Sequence, residues 1–352
     1  MSIKRMSIKR KTASINVAVV GLGYMGVTHL RAYQKIRNAR IVAVCDALRL
    51  PENGVLRGVA GNIKSNDGDL NLGPKLKTYR ELDALLADPD VDVVDICTPT
   101  PMHPAQVIAA LKAGRHVLCE KPLARASAEV KKILAVAAKA KGFLMPAMCM
   151  RFWTGWGDLK AVVQGEKYGR VLAASFRRVS QRPAWSAANT YAGAAMGGAL
   201  YDLHIHDVDF INYIFGKPKG VSAAGVISEN GSIDHVVARY EYPGGPLVSA
   251  EGSWLHQGGF SMGFVINFER ATIEYDFAKG GVWLLSEAGK KPREIAWRGP
   301  DGYDGEIRHF VDCVARGVRP ETVTARDALV TMQICEAEEK SVRNGAKVNL
   351  PV

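Results

Sequence analysis

Apolar runs alternate with amphipathic stretches through the first 148 residues. Residues 15–20 (INVAVV), 41–45 (IVAVC), 91–97 (VDVVDIC), 116–120 (HVLCE) and 143–148 (FLMPAM) read as short strands. Helical spacing falls between them, near residues 24–35, 79–87, 104–113 and 127–140. Strands that are apolar on both faces and alternate with helices predict a parallel, doubly wound sheet. The texture changes after about residue 150. Residues 171–180, 221–227, 236–242, 247–254, 262–268, 272–277 and 281–285 are strand-like, and several alternate apolar with polar positions. Turn signals such as Pro243-Gly244-Gly245-Pro246 and Lys279-Gly280-Gly281 separate them. Antiparallel strands with one wetter face fit this pattern, and helices are expected at 198–215, 305–316 and 324–344. The fold class is therefore α/β, with a doubly wound domain over 15–148 and an α+β domain over 149–352.

Composition narrows the picture. The 352 residues are 47% hydrophobic and 23% charged, which fits two globular domains and disfavours disorder, collagen-like repeats and a disulfide scaffold. No apolar run approaches a membrane span, so no membrane partner is expected. The net charge of +11 invites a nucleic-acid reading, but residues 1–11 (MSIKRMSIKRK) hold five basic residues and no acid. Beyond them 41 basic residues face 35 acidic ones, scattered along the chain, so no nucleic-acid partner is expected. Residues 1–14 are expected to be a disordered basic tail; with no apolar stretch behind its charges, it is not expected to act as a secretory signal. Cysteines 45, 97, 119, 149, 313 and 335 form no CxxC or zinc spacing, which points to buried thiols in a reducing, cytoplasmic setting.

Three segments carry chemistry. The first is Gly21-Leu22-Gly23-Tyr24-Met25-Gly26, set between a strand and a helix. Gly21 permits the tight turn, Gly23 the approach of backbone amides to a pyrophosphate, and Gly26 the close packing of helix on strand. Asp46, 25 residues after Gly21, ends the second strand, where a carboxylate binds ribose hydroxyls and repels a 2′-phosphate. NAD is thus favoured over NADP, although Arg49 stands nearby to receive a phosphate. The second segment pairs Thr98-Pro99-Thr100-Pro101-Met102-His103 with Glu120-Lys121-Pro122, both at carboxyl ends of parallel strands, where such sheets bind ligands. The third is the helix holding Asp202, His204, His206, Asp207 and Asp209. Asp202 and His206 are four apart and share a helix face, where the carboxylate can raise and orient the imidazole as a general base. His204 points away from His206 on such a helix, so no metal site is expected. Arg151, Trp153, Trp156, Arg178, Arg182, Trp185 and Tyr191 precede that helix and are candidates to line a sugar site, by stacking and by hydrogen bonding. Their three arginines hint at an anionic sugar.

Together these features resemble the Gfo/Idh/MocA oxidoreductases, a likeness that runs from about residue 15 to the end. It includes 113–124 (AGRHVLCEKPLA), 271–276 (ATIEYD) and a closing helix followed by Asn349-Leu350-Pro351. The resemblance implies a Rossmann domain, then a domain with a large, open, mostly antiparallel sheet that makes homodimer or homotetramer contacts. It also implies a nicotinamide cofactor, and a sugar, polyol or sugar derivative as substrate. Lys121 matches the family's active-site lysine, Asp202 its substrate-contacting aspartate, His206 its catalytic histidine, and His103 a histidine close to the cofactor. Thr100 stands where many members have asparagine, and Cys149-Met150-Arg151-Phe152 replaces a more arginine-rich run. A redox-assisted glycosidase and a non-catalytic dinucleotide-sensing regulator are the two alternatives within the same likeness.

Overall fold

The computed structural model describes residues 14–58, 68–183 and 196–351. Nearly all of the basic tail, together with Trp185 and Tyr191, lies outside the described residues. The first sheet contains β1 (Ile15–Val20), β2 (Ala39–Cys45), β3 (Lys77–Tyr79), β4 (Val93–Ile96), β5 (His116–Glu120) and β6 (Leu144–Ala147). All six strands are parallel, in the order β3-β2-β1-β4-β5-β6. Strand order reverses between β1 and β4, which opens a crevice beyond their carboxyl ends. Register pairs Val20 with Ile96 and Ile96 with Cys119, so Gly21, Cys97 and Glu120 leave the sheet at one level. Pro146 is tolerated because β6 is an edge strand that need not donate outward.

The second sheet has nine strands: β7 (Val171–Val179), β8 (Gly220–Ile227), β9 (Ile233–Glu241), β10 (Leu247–Ser253), β11 (Ser261–Phe268), β12 (Ala271–Asp276), β13 (Trp283–Glu287), β14 (Arg293–Ile295) and β15 (Val348–Asn349). Their order is β14-β13-β12-β11-β7-β10-β9-β8-β15, antiparallel except for the parallel pair β7–β10. Every second side chain of β11 is buried, as the alternating sequence requires. The covered face packs the helices Ile205–Phe215 and Ala325–Asn344, and its aromatic centre is Trp156, fully enclosed and 5.0 Å from the rings of both Phe210 and Phe264. The last two helices also reach back to the first sheet. Gly302–Arg316 packs on Tyr24–Gln34, and Ala325–Asn344 packs on Ser127–Ala137. All six cysteines are buried and unpaired. Among the described residues no helix is long and apolar enough to cross a membrane.

Three departures from the sequence pattern matter. The stretch at 79–87 contributes an edge strand, β3, and only a short helix, Leu82–Leu86. An additional helix, Gly157–Gln164, forms directly after the tryptophan-rich run. The helix predicted at 198–215 opens with a π-turn, Leu200–His204, before continuing as the α-helix Ile205–Phe215. A π-turn inserts extra chain per turn and re-aims the side chains on it.

Candidate active site

The glycine turn is shaped for something other than protein. Gly21 has φ +88°, and a Cβ there would lie 2.8 Å from the Cys97 carbonyl and the Thr98 nitrogen. A Cβ on Gly26 would run into the Gly21 carbonyl oxygen. At Gly23, by contrast, nothing beyond its own neighbours along the chain lies within 4 Å of the Cβ position, so packing alone does not demand glycine. The helix it begins, Tyr24–Gln34, has no side-chain cap and no acid in its first turn. The closing helix instead carries a full capping box of Thr324 and Asp327. An uncapped N-terminus behind an open glycine leaves backbone N–H groups for an anion. Gly23→Ala is therefore expected to fold normally and to weaken dinucleotide binding roughly tenfold, the loss of about one hydrogen bond to a charged group. Calorimetric titration checks this, and unchanged affinity places the pyrophosphate elsewhere.

Asp46 closes β2 against this turn. Its Oδ2 accepts from Leu22 N at 2.7 Å, and its Oδ1 accepts from Leu48 N and Arg49 N at 2.9 and 2.8 Å. The Arg49 guanidinium donates to the carbonyls of Leu22 (2.8 Å), Arg57 and Gly58. Its donors are directed to the backbone.

A cavity opens beyond the strand ends, bordered by Tyr24, Met25, Thr98, Glu120, Lys121, Trp153, Arg178, Asp202 and His206. Lys121, the residue directly after the end of β5, donates from Nζ to Asp202 Oδ1 at 2.9 Å and to the Asp202 carbonyl at 2.6 Å. Two of its three N–H bonds are thus held. His206 lines the same cavity, and its Nδ1 has no hydrogen-bond partner. Burial, reinforced by the charges of Lys121 and Arg178, holds its imidazole well below its ordinary range. This corrects the expected Asp202–His206 pairing. The π-turn directs Asp202 to Lys121, and the histidine is held neutral instead of being raised.

Other expected residues fall elsewhere. His103 is buried away from the cavity, with Nδ1 2.8 Å from the Pro122 carbonyl and Nε2 2.7 Å from the Thr98 carbonyl. It ties together the two loops that bear Thr98 and Lys121. Pro99 begins the short Thr100–Met102 turn and does not border the cavity, whereas Thr100 does. Arg151 turns into the core, its Nε and Nη2 donating to the two Asp209 oxygens at 2.8 and 2.6 Å, so it is not a substrate contact here. Arg178 reaches the cavity but is forked onto Asp207 at 2.9 and 3.1 Å, and Arg182 is paired with Asp234. With a carboxylate on each arginine, the hint of an anionic sugar loses its basis. His204 faces the Tyr240 hydroxyl (3.2 Å) and Glu338 (3.4 Å), not the cavity. Sequence reasoning missed the apolar wall of Cys149, Met150, Phe260, Met262 and Tyr303. Its members are spread over three segments and bear no local motif.

Comparison with known proteins agrees with this architecture. The family model described as the Gfo/Idh/MocA oxidoreductases with an NAD-binding Rossmann fold matches residues 15–148, and the family's C-terminal domain matches residues 156–274. The chain belongs to the Gfo/Idh/MocA oxidoreductase family. It is 37% identical over 291 residues to the trans-1,2-dihydrobenzene-1,2-diol dehydrogenase of Sus scrofa, covering 76% of this chain and 82% of that protein. It is 27% identical to the myo-inositol 2-dehydrogenase of Thermotoga maritima, covering 96% of this chain and 98% of that one. Levoglucosan dehydrogenase, solved with NADH and levoglucosan, shares the fold at a TM-score of 0.81 and 21% identity, covering 96% of this chain and 99% of that structure.

Proposed function

We propose that the chain is an NAD-dependent dehydrogenase that oxidises a secondary hydroxyl of a sugar, polyol or sugar derivative. The observation that carries this reading is the meeting of a tethered ammonium and the His206 imidazole in one cavity beside the glycine turn. The dinucleotide, when bound, supplies the hydride acceptor. Its pyrophosphate fits the open Gly23 turn and the uncapped helix, and its ribose fits Asp46. NAD is favoured over NADP because Asp46 stands at the end of β2 and the Arg49 Nη1 and Nη2 are turned to backbone carbonyls. His206 accepts the hydroxyl proton at the edge of its ring that borders the cavity. Lys121 offers its third N–H to the hydroxyl oxygen and stabilises the developing alkoxide. Asp202 fixes the direction of that ammonium.

A second reading concerns the skeleton that bears the hydroxyl. Met25, Met150, Trp153, Phe260 and Met262 face the cavity with carbon and sulfur, which suits a cyclic diol on a hydrocarbon ring. The dihydrodiol dehydrogenase relatives favour the same class. For assembly we propose a homodimer or homotetramer through the open face of the second sheet, where Val237, Leu247 and Leu284 are exposed.

A panel of sugars, polyols and cyclic trans-diols, offered with NAD and with NADP and followed by nicotinamide absorbance, tests the assignment. Reduction of NAD by one class is the expected result. Release of an aryl leaving group without net NADH would indicate the glycosidase cycle. Tight dinucleotide binding with no turnover of any kind would point to a sensor, although a sensor has no use for Lys121, Asp202 and His206 together.

A further inference from the structure

Beneath the Glu120–Lys121 corner of the cavity lies a buried set of ionisable groups with no part in the chemistry above. At its centre is His29, on the inner face of the first helix and fully enclosed. Its Nδ1 is 2.8 Å from Asp95 Oδ2, and its Nε2 is 3.1 Å from Glu120 Oε1. A carboxylate on each ring nitrogen calls for a proton on each, since carboxylates only accept. Burial opposes a charged ring, but Asp95 and the neighbouring Cys97 outweigh it and raise the imidazole well above its ordinary range. For Glu120 burial also opposes ionisation, and here the His29 bond and charge, with Lys121, prevail and hold the carboxyl low.

The surroundings sharpen the point. Tyr33 of the same helix, Cys97 beyond β4, and Tyr303 and Glu306 of the Gly302–Arg316 helix complete the enclosure; burial pushes all four up, so all are neutral. Both oxygens of Glu306 are buried without a hydrogen-bond partner. His29 therefore faces the Glu120 carboxylate as its cation inside this pocket, with Asp95 on its other ring nitrogen. Glu120 in turn accepts from Lys121 N through its other oxygen, Oε2, at 2.9 Å. A chain of contacts runs Asp95–His29–Glu120–Lys121 from the core to the cavity.

We propose that His29 is a positioning residue for the dehydrogenase site: as the counter-ion of Glu120, it fixes the carboxylate that anchors the Lys121 backbone and so aims the ammonium at the substrate oxygen. The proposal rests on the reading of Lys121 given above. Two residues of the same set, with His29, are spaced to hold a metal ion in either of two combinations, His29–Asp95–Cys97 or His29–Glu120–Glu306. The direct ring-to-carboxylate contacts favour protons in those places.

His29→Gln in the full chain is the test, with Lys121→Met as its companion. Without the imidazolium, Glu120 is more readily protonated, and the Lys121 backbone is less firmly held. The expected result is a kcat lower by roughly 10²-fold at pH 7, the scale of a misplaced catalytic group. KM and dinucleotide affinity change little. The acid limb of the kcat/KM profile moves up by about one pH unit or more, a shift that a packing defect does not produce. An active wild type, an inactive Lys121→Met and an unaltered His29→Gln profile overturn this proposal alone. A fully active Lys121→Met overturns the site reading instead. If His29→Gln does not fold, ¹⁵N-histidine NMR of the wild-type chain decides: both His29 nitrogens should carry protons at neutral pH. A neutral tautomer, or a metal ion bound to the purified protein, overturns the proposal.

Discussion

Replacing His206 with alanine lowers kcat by roughly 10²–10⁴-fold, the range of a lost general base, and leaves dinucleotide affinity unchanged. The expectation follows from the position of the ring. It borders the cavity that Lys121 and Asp202 share. Burial and two neighbouring cations keep it neutral, so in the proposed role of base it needs no prior loss of a proton. The pH dependence has a definite sign. Its folded-state value is depressed, so kcat/KM stays level through neutrality and falls only as pH drops well below the usual imidazole range. Steady-state kinetics over pH, with fluorescence titration of the dinucleotide, measure both quantities. Undiminished turnover in the alanine variant would remove His206 from the mechanism.

Removing Arg151 is expected to cost stability, not catalysis. The guanidinium and Asp209 are almost wholly enclosed, with side chains 2% and 1% exposed. Nη1 also donates to the Thr322 carbonyl at 2.9 Å, and the Thr331 hydroxyl donates to Asp209 at 3.2 Å. Arg151→Met leaves an uncompensated carboxylate in that setting, a loss of about 3–5 kcal/mol. Arg151→Met combined with Asp209→Leu recovers most of it, because removing both charges of a buried pair is close to neutral. Urea unfolding of the two variants checks the pair, and kcat per folded molecule should match the wild type in both. A raised KM with unchanged stability would restore the substrate role expected of Arg151.

The contrast between these two residues indicates what a sequence exposes. The turn of Gly21, Gly23 and Gly26 and the place of Asp46 at a strand end were readable because a strand, a turn and a helix adjacent in sequence define that geometry. The EKP segment and the Asp202–His206 stretch were readable as chemistry, and both do meet in the cavity. The partner of Asp202 was not, because a π-turn replaces the α-helical spacing on which the pairing relied. His103 carried a recognisable position but packs between two backbone carbonyls, a setting no spacing rule encodes. The apolar cavity wall had no local signature at all.

Local pattern therefore determined the alternation of strands and helices, the change of texture near residue 150, the glycine turn and the acid beyond it. Each of these depends on side-chain periodicity or backbone freedom within a few residues. Tertiary structure alone decided which charged groups serve the cavity and which serve the core. Arg151 finds Asp209 across 58 residues and His29 finds Glu120 across 91, and Lys121 meets Asp202 across 81. A charge is stable inside a protein only beside its counter-charge. That partner is chosen by how two sheets and their helices come together, and only after that choice is a residue's role settled.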